Sequence, residues 1–423
     1  MKQTTVGLDF GTHQTKVCVE EKDGAELEYK FFLFKDKHGD MQYTLPSIIQ
    51  LSTDGKLSYG YMVDNRRKNN IKYFKQSAFQ TTSQVQYSHM DGKLYSIWYL
   101  ANILFDLEER YGQDFAIQMG VPSDSSHLDK AKQTAVSIIV SAYKLVEDVF
   151  GNDKQKFLNS TIDKLRSLTK IVPYSQQDKD AYGILIFPEA YACLKPLIKR
   201  GKIATGMSLM IDIGGGTTDM SFFTIENGKP QVYDFYSLGK GLNFLTGADG
   251  PSGRNAGPII KSASEIDNRR RTIFVNEVNN TCNKLVTHLK TEYGRQTKLY
   301  LFRLIDALKT RPIIYCGGGS TFSTLRIPYG GFRVRQQITP EVWNVKAVDQ
   351  IDDIKQKGLC PILSTAYGLS ISVANDNISR LPFKEVFKPL RGLVEEHQPT
   401  MRKLGEAISR DGFDYGTDYD AFK

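Results

Sequence analysis

The sequence predicts an α/β protein whose two similarly built halves face each other across a cleft. Three observations carry that prediction. Strand-like and helix-like stretches alternate along the chain. A strand–Asp–Gly–Thr–strand unit at Asp9 returns at Asp212. The length, 423 residues, exceeds the size at which one hydrophobic core usually stops growing.

The elements follow in order. Thr5 to Phe10 alternates apolar and polar residues, Gly11-Thr12-His13 interrupts, and Thr15 to Val19 resumes the alternation, so a hairpin is expected. A second hairpin is expected from Tyr29–Phe34 and Gln42–Leu51, turning at Lys37-His38-Gly39-Asp40. Helical spacing runs from Ile97 to Tyr111 and stops at Gly112; Ala116 to Val121 reads as a buried strand ended by Pro122. Lys132 to Phe150 reads as a long amphipathic helix. Residues 151–182 are polar and mixed and receive no assignment. In the second half, Ser208 to Ile213 and Met220 to Ile225 read as strands around Gly214-Gly215-Gly216. Residues 247–262 read as an exposed Gly/Pro/Ser loop, Phe274 to Leu289 as a helix, and Pro312 to Tyr315 as a strand entering Gly317-Gly318-Gly319. After Asn375 the chain is polar and charged, and 376–423 reads as an appended tail that docks on the body or on a partner.

Composition sets further bounds. Hydrophobic residues make up 40% and charged residues 24%, as in ordinary soluble globular proteins. Apolar stretches such as Ile184–Phe187 and Val136–Val140 are far too short to span a bilayer. The start has no long apolar segment and no small-residue cleavage site, so no signal peptide is expected, and the expected compartment is the cytoplasm. The five cysteines (Cys18, Cys193, Cys282, Cys316, Cys360) are scattered along the chain. That spacing excludes a CxxC motif and argues against a disulfide framework; small core residues are the expected role for four of them. The net charge of +8 raises nucleic-acid binding, but the basic clusters Arg66-Arg67-Lys68 and Arg269-Arg270-Arg271 are short and separated by acids, which favours solvated faces.

Three glycine turns could carry chemistry. In Asp9-Phe10-Gly11-Thr12-His13-Gln14-Thr15-Lys16, a tight turn exposes successive backbone N–H groups able to hold phosphate oxygens. Asp9 at the strand end could hold hydrated Mg²⁺, which keeps most of its waters, and Lys16 could return to the phosphates. In Asp212-Ile213-Gly214-Gly215-Gly216-Thr217-Thr218-Asp219, three consecutive glycines within a strand pair point to close approach of a ligand to the backbone. Asp212 mirrors Asp9, Asp219 adds a third carboxylate, and three carboxylates in one cleft call for a cation. In Tyr315-Cys316-Gly317-Gly318-Gly319-Ser320-Thr321-Phe322, a third apolar strand feeds a glycine turn against which a flat base could lie.

These three units resemble the phosphate-1, phosphate-2 and adenosine motifs of the actin-like ATPase superfamily, which includes actin, DnaK-type chaperones, FtsA, MreB and ParM. Ile186-Phe187-Pro188-Glu189-Ala190-Tyr191-Ala192 and Ser364-Thr365-Ala366-Tyr367-Gly368 resemble its two connecting helices, and Leu45-Pro46-Ser47 and Val121-Pro122 fall in family order. The likeness runs from Thr5 to the neighbourhood of Asn375. Gly-Gly-Gly-Thr-Thr-Asp and Glu189 are most similar to the ATPase domain of the DnaK-type branch.

The resemblance implies a two-lobed actin-like fold of duplicated ribonuclease-H-like domains: lobe I at 1–185, lobe II at 186–375, then the tail. It implies ATP/ADP and Mg²⁺ as ligands, with Asp9 and Asp212 on the metal through waters, Thr217 by the γ-phosphate, and Glu189 placing the attacking water. Glu189 has a second reading as a surface helix cap beside Pro188. Gly11, Thr12, His13, Lys16, Gly214, Gly215, Gly216, Asp219, Gly239, Gly241, Gly317, Gly318, Gly319, Ser320 and Phe322 would contact the nucleotide. Lys75 is the first candidate for the lysine that orients the water, and Lys72 the second.

Departures from the chaperone pattern are several. Phe322 stands where an adenine-stacking arginine is expected, Ile362 replaces an aspartate, and Lys16 is an actin-like and ParM-like feature. The short stretch from Gly241 to Gly317 implies a trimmed outer subdomain in lobe II, and no peptide-binding β-domain is recognisable after residue 375. The expected function is therefore a slow, chaperone-like ATPase that acts as a conformational switch for an unidentified protein partner, without a membrane span. A self-associating filament former of the ParM or MreB kind is the alternative, and a small-molecule kinase using Asp219 as base is a third reading.

Overall fold

The computed structural model describes residues 2–64, 70–79, 87–122, 127–170, 176–198, 208–226, 229–247, 263–293, 312–338, 343 and 348–372. Arg66-Arg67-Lys68, nearly all of the 247–262 loop and the 376–423 tail lie outside the described residues.

The first half begins with β1 (Gln3–Phe10) and β2 (Gln14–Asp23), an antiparallel pair that sets Asp9 opposite Lys16. The strand β3 (Glu26–Phe31) extends β2. A small hairpin of β4 (Phe34–Lys35) and β5 (Met41–Gln42) turns about Asp36, whose carboxylate accepts hydrogen bonds from the backbone N–H groups of His38 and Asp40.

The expected long hairpin holds only at that tip. The strand β6 (Leu45–Pro46) pairs with β2, and β7 (Ile48–Leu51) forms a separate sheet with β8 (Leu57–Tyr59) and β9 (Asn70–Lys72). Pro46 has no N–H to continue a ladder. Ser47 bonds instead to the first turn, its N–H to the His13 carbonyl at 2.8 Å and its hydroxyl to the Gly11 carbonyl at 2.7 Å.

After α1 (Phe74–Phe79) comes α2 (His89–Tyr111), which starts well before the periodicity at Ile97. Ser88 caps it by accepting from the Asp91 N–H, and Gly112 in the left-handed region, φ 76°, ends it. The strand β10 (Ala116–Val121) lies parallel to β1. The next helix, α3 (Leu128–Lys144), begins earlier than Lys132 and finishes in a π-helical turn over Leu145–Val149. The unassigned stretch holds α4 (Lys154–Leu158), α5 (Ile162–Lys170) and α6 (Gln176–Ala181). Then β11 (Ile184–Pro188) runs parallel to β10 and leads into α7 (Glu189–Ala192) and α8 (Lys195–Ile198). The segment expected as a connecting helix from Ile186 is thus strand up to Pro188, and the 185/186 division falls inside β11.

The second half repeats the plan. It comprises β12 (Ser208–Ile213), β13 (Thr218–Glu226), β14 (Lys229–Leu238), α9 (Leu242–Leu245), α10 (Asn268–Tyr293), β15 (Pro312–Cys316) and β16 (Val334–Gln337). The first sheet runs β3-β2-β1-β10-β11 and the second β14-β13-β12-β15-β16. In both, three antiparallel strands precede two parallel ones. The architecture is mixed α/β, as the sequence predicts.

Alternation along the strands builds the core. Leu209, Ile211 and Ile213 of β12 join Phe274, Val278 and Cys282 of α10 in one apolar cluster, whereas Met210 belongs to the other. The final described helix, Cys360–Ser370, returns to the first sheet and lies on β1 and β2. Gly7 permits that approach, because a Cβ there would stand 2.2 Å from the Ser370 nitrogen. Two of the three clustered arginines of α10 have structural partners: Arg270 donates to the Phe244 carbonyl and Arg271 to that of Thr324.

Candidate functional site

Period-two alternation explains why the carboxylates converge. Val6, Leu8 and Phe10 of β1 enter the core, which turns Asp9 to the other face. The same parity in β12 turns Asp212 away from the cluster holding Leu209, Ile211 and Ile213. Asp9 and Asp212 line one cavity of about 120 Å³, together with Lys16, Lys75, Glu189 and Asp219.

The two hairpin turns oppose each other at contact distance. A Cβ on Gly215 would lie 2.6 Å from Cγ of His13. On Gly216 it would lie 2.2 Å from the Gln76 amide nitrogen and 2.8 Å from the Thr12 hydroxyl. A side chain at either position would have to displace the His13 ring or the end of Gln76. The third turn approaches from the side: Gly317 has φ 78°, and a Cβ there would stand 2.1 Å from Oδ1 of Asp212.

The hairpins differ in charge. Asp9 faces Lys16 across the first strand pair and receives a hydrogen bond from its Nζ at 2.7 Å. At the matching place in the second, Asp212 faces Asp219, and the Thr217 hydroxyl donates to Asp219 Oδ2 at 3.1 Å. Glu189, the first residue of α7, accepts from Lys75 Nζ at 2.6 Å, with both side chains buried. That ion pair replaces the surface-cap reading of Glu189. Lys75, not Lys72, lines the cavity. Tyr73, just before α1, has φ 59°, a strained value for a bulky residue.

Four carboxylates and only two ammonium groups line the cavity, so acidic groups outnumber basic ones there. Burial, with Glu189 and Asp9 nearby, pushes Asp212 up to about 6. Burial and Glu189 push Asp219 up to about 8. Glu189 is likewise raised, chiefly by burial, against the opposing pull of Lys75. Burial opposes the charge on Lys16, yet Asp9, Asp212 and Glu189 outweigh it and raise its pKa. Burial, Lys16 and Lys72 lower His13 to about 4, so its ring is neutral, and His13 Nε2 has no hydrogen-bond partner among the described residues.

Most of the expected site residues meet here. Gly11, Thr12, His13, Gly214, Gly215, Gly216 and Thr217 line the cavity, as do Gly317, Gly318 and Phe322. Gly239, Gly241, Gly319 and Ser320 do not line it. Gly241 backs the second turn, where a Cβ would meet the Gly214 carbonyl at 2.5 Å, and Gly319 presses on the Ile213 side chain. The Ser320 hydroxyl is buried and donates to the Gly317 carbonyl at 2.8 Å. Sequence reasoning missed Gln14, Leu242, Thr321 and Thr365, which also line the cavity. Thr365 lies in the segment likened to the second connecting helix, and Gln14 and Thr321 lie within the first and third glycine-turn units, so these three carried a usable signal; Leu242 carried none. Ile362, noted as a departure, lines the wall too.

No protein-family model and no curated protein sequence matches this chain. Among the described residues, no helix is long and apolar enough to cross a membrane.

Proposed function

We propose that this chain is an actin-like, two-lobed ATPase that binds ATP and Mg²⁺ between its halves and hydrolyses ATP slowly, acting as a conformational switch for a protein partner. The observation that carries the reading is the opposition of two equivalent hairpin turns, with Asp9 and Asp212 brought into one cavity. Repetition of one sheet order in both halves supports it.

The residues present fit such a ligand. Glycine turns leave room where side chains would collide, and the excess of carboxylates over ammonium groups suits a divalent cation. In this reading Asp9 and Asp212 hold the cation through waters, and the cation, when bound, neutralises phosphate charge. Gly11–His13 and Gly214–Gly216 offer backbone N–H groups to phosphate oxygens, and Thr217 stands near the terminal phosphate. Glu189 orients the attacking water while Lys75 fixes its carboxylate. Phe322 supplies an apolar face for the base. Such catalysis consists of positioning and charge neutralisation.

In this reading the ligand contacts turns from both halves of the chain, and this coupling of ligand to shape underlies the switch. Lys16, already paired with Asp9 in the cavity, favours the filament-forming alternative within the same superfamily. Light scattering after adding ATP and Mg²⁺ at rising protein concentration separates the two: concentration-dependent growth supports filaments, and a flat signal supports the switch.

The central test is calorimetric titration with ATP and ADP, with and without Mg²⁺, followed by phosphate release on the same sample. Mg²⁺-dependent binding that disappears in Asp212→Ala supports the reading. Absence of nucleotide binding by the wild-type chain overturns it.

A further inference from the structure

Cys193, Cys316 and Asp212 come from separate parts of the chain and meet beneath the cleft. Asp212 and Cys316 are register partners on the parallel strands β12 and β15. Cys193 follows directly after α7. Its Sγ lies 3.6 Å from that of Cys316 and 3.4 Å from Asp212 Oδ2. One donor atom from each residue falls within 4.8 Å of the other two. Both thiols are buried in the apolar core, as expected of small core cysteines, and they also touch each other.

Two buried thiols can simply fill space, as Cys282 does beside Met220 in the other apolar cluster. A carboxylate in contact with a thiol pair calls for more. In a tetrahedral zinc centre, Zn–S bonds of about 2.3 Å and Zn–O bonds of about 2.0 Å imply S···S edges of about 3.8 Å and S···O edges of about 3.5 Å. Both observed separations match those edges to within a few tenths of an ångström.

We propose that Cys193, Cys316 and Asp212 form a binding site for a thiophilic divalent cation of the zinc class, distinct from the hydrated magnesium site on the cleft side of Asp212. Two thiolates select a soft cation over magnesium. Asp212 and Thr365 line the cavity, so the cation enters through the cleft floor, and water completes its fourth position on that side. Binding releases both thiol protons to solvent. Because Asp212 is shared, a zinc-class cation draws that carboxylate away from the cleft and weakens Mg²⁺-dependent nucleotide binding. This last consequence rests on the function proposed above; the metal site does not.

The test uses the full chain, reduced and stripped with chelator. Cadmium and cobalt(II) serve as optical probes, and zinc is titrated against a chromophoric chelator. The expected result is a single bound cation with sulfur-to-metal charge transfer and, for cobalt, the visible bands of a tetrahedral site. Cys193→Ser and Cys316→Ser should each weaken zinc binding at least about tenfold and dim the band, whereas Cys282→Ser should change neither. X-ray absorption on the zinc-loaded wild type needs no variant and should find sulfur in the first coordination sphere. Absence of the charge-transfer band, its persistence in both Cys193→Ser and Cys316→Ser, or a zinc shell without sulfur overturns the proposal. Metal binding without ATP binding would leave this site standing and remove only the nucleotide reading.

Discussion

Lys75 Nζ stands 2.6 Å from Glu189 Oε1, a buried ion pair joining residues 114 positions apart. It ties α1 to the first residue of α7 and sits beside the Phe10 ring, 5.7 Å from its centroid. Removing one partner of such a pair leaves the other charged and unpaired. Lys75→Ala is therefore expected to destabilise the fold by about 3–5 kcal/mol, and Glu189→Gln, which keeps a polar acceptor, by less. Urea denaturation of both variants checks the order. Under the proposed function, Glu189→Gln should lower phosphate release by about 10²–10³-fold while ATP affinity stays within about threefold. A loss of affinity that matches the loss of rate would assign Glu189 to binding alone.

Asp219 offers a prediction about pH. Its pKa rises from 3.8 to about 8 in the folded protein. Between those values the folded state holds a proton that the unfolded chain has released, so this group's contribution to stability falls as pH rises through the window. Asp219→Asn should melt higher than the wild type at pH 8, by a margin equivalent to a few kcal/mol, and the margin should shrink towards pH 4. Calorimetric scans across that range test it; a margin independent of pH would rule out titration of Asp219 as the cause.

His13 behaves in the opposite sense. Its folded pKa of about 4 lies below the ordinary 6.5. The unfolded chain takes up a proton first as pH falls, so stability is lost from about 6.5 down to about 4, by about 3 kcal/mol in all. Proton NMR of the imidazole resonances should show one histidine, absent in His13→Asn, that titrates near 4. Six histidines titrating near the ordinary value would contradict the burial of this ring.

Glycine substitutions separate backbone strain from collision. Gly358 has φ 62° but open space around a Cβ, so Gly358→Ala should cost only about 1 kcal/mol. Gly317→Ala adds a clash with Asp212 Oδ1 to a φ of 78°, and Gly368→Ala drives a Cβ to 1.7 Å from the Ala192 carbonyl. Each of these should cost about 2–4 kcal/mol. Thermal melts of the three variants, compared side by side, read out the difference.

The strands, their glycine turns and the carboxylates at their ends were legible in the sequence because each depends on neighbours a few residues away. Alternation at Thr5–Phe10 and a buried apolar run at Ser208–Ile213 mark the strands, and the two-residue period sets which side chains share a face. Helix boundaries were less legible: the start of α2 lies in Ser88 and its cap bond, not in the apolar spacing from Ile97. The hairpin expected from Tyr29 to Leu51 failed because Ser47 finds its partners in the first turn, a contact no local pattern encodes.

By itself, then, the sequence determined the α/β class, the repeated hairpin and most of the residues that line the cavity. Tertiary structure alone decided which lysine meets Glu189, that the second hairpin sets Asp219 where the first has Lys16, and that two distant cysteines touch beneath Asp212. Short-range periodicity is written into backbone geometry and survives in any fold. Pairings across a hundred or more residues exist only once sheets and helices have packed, because only packing brings their ends to the same place.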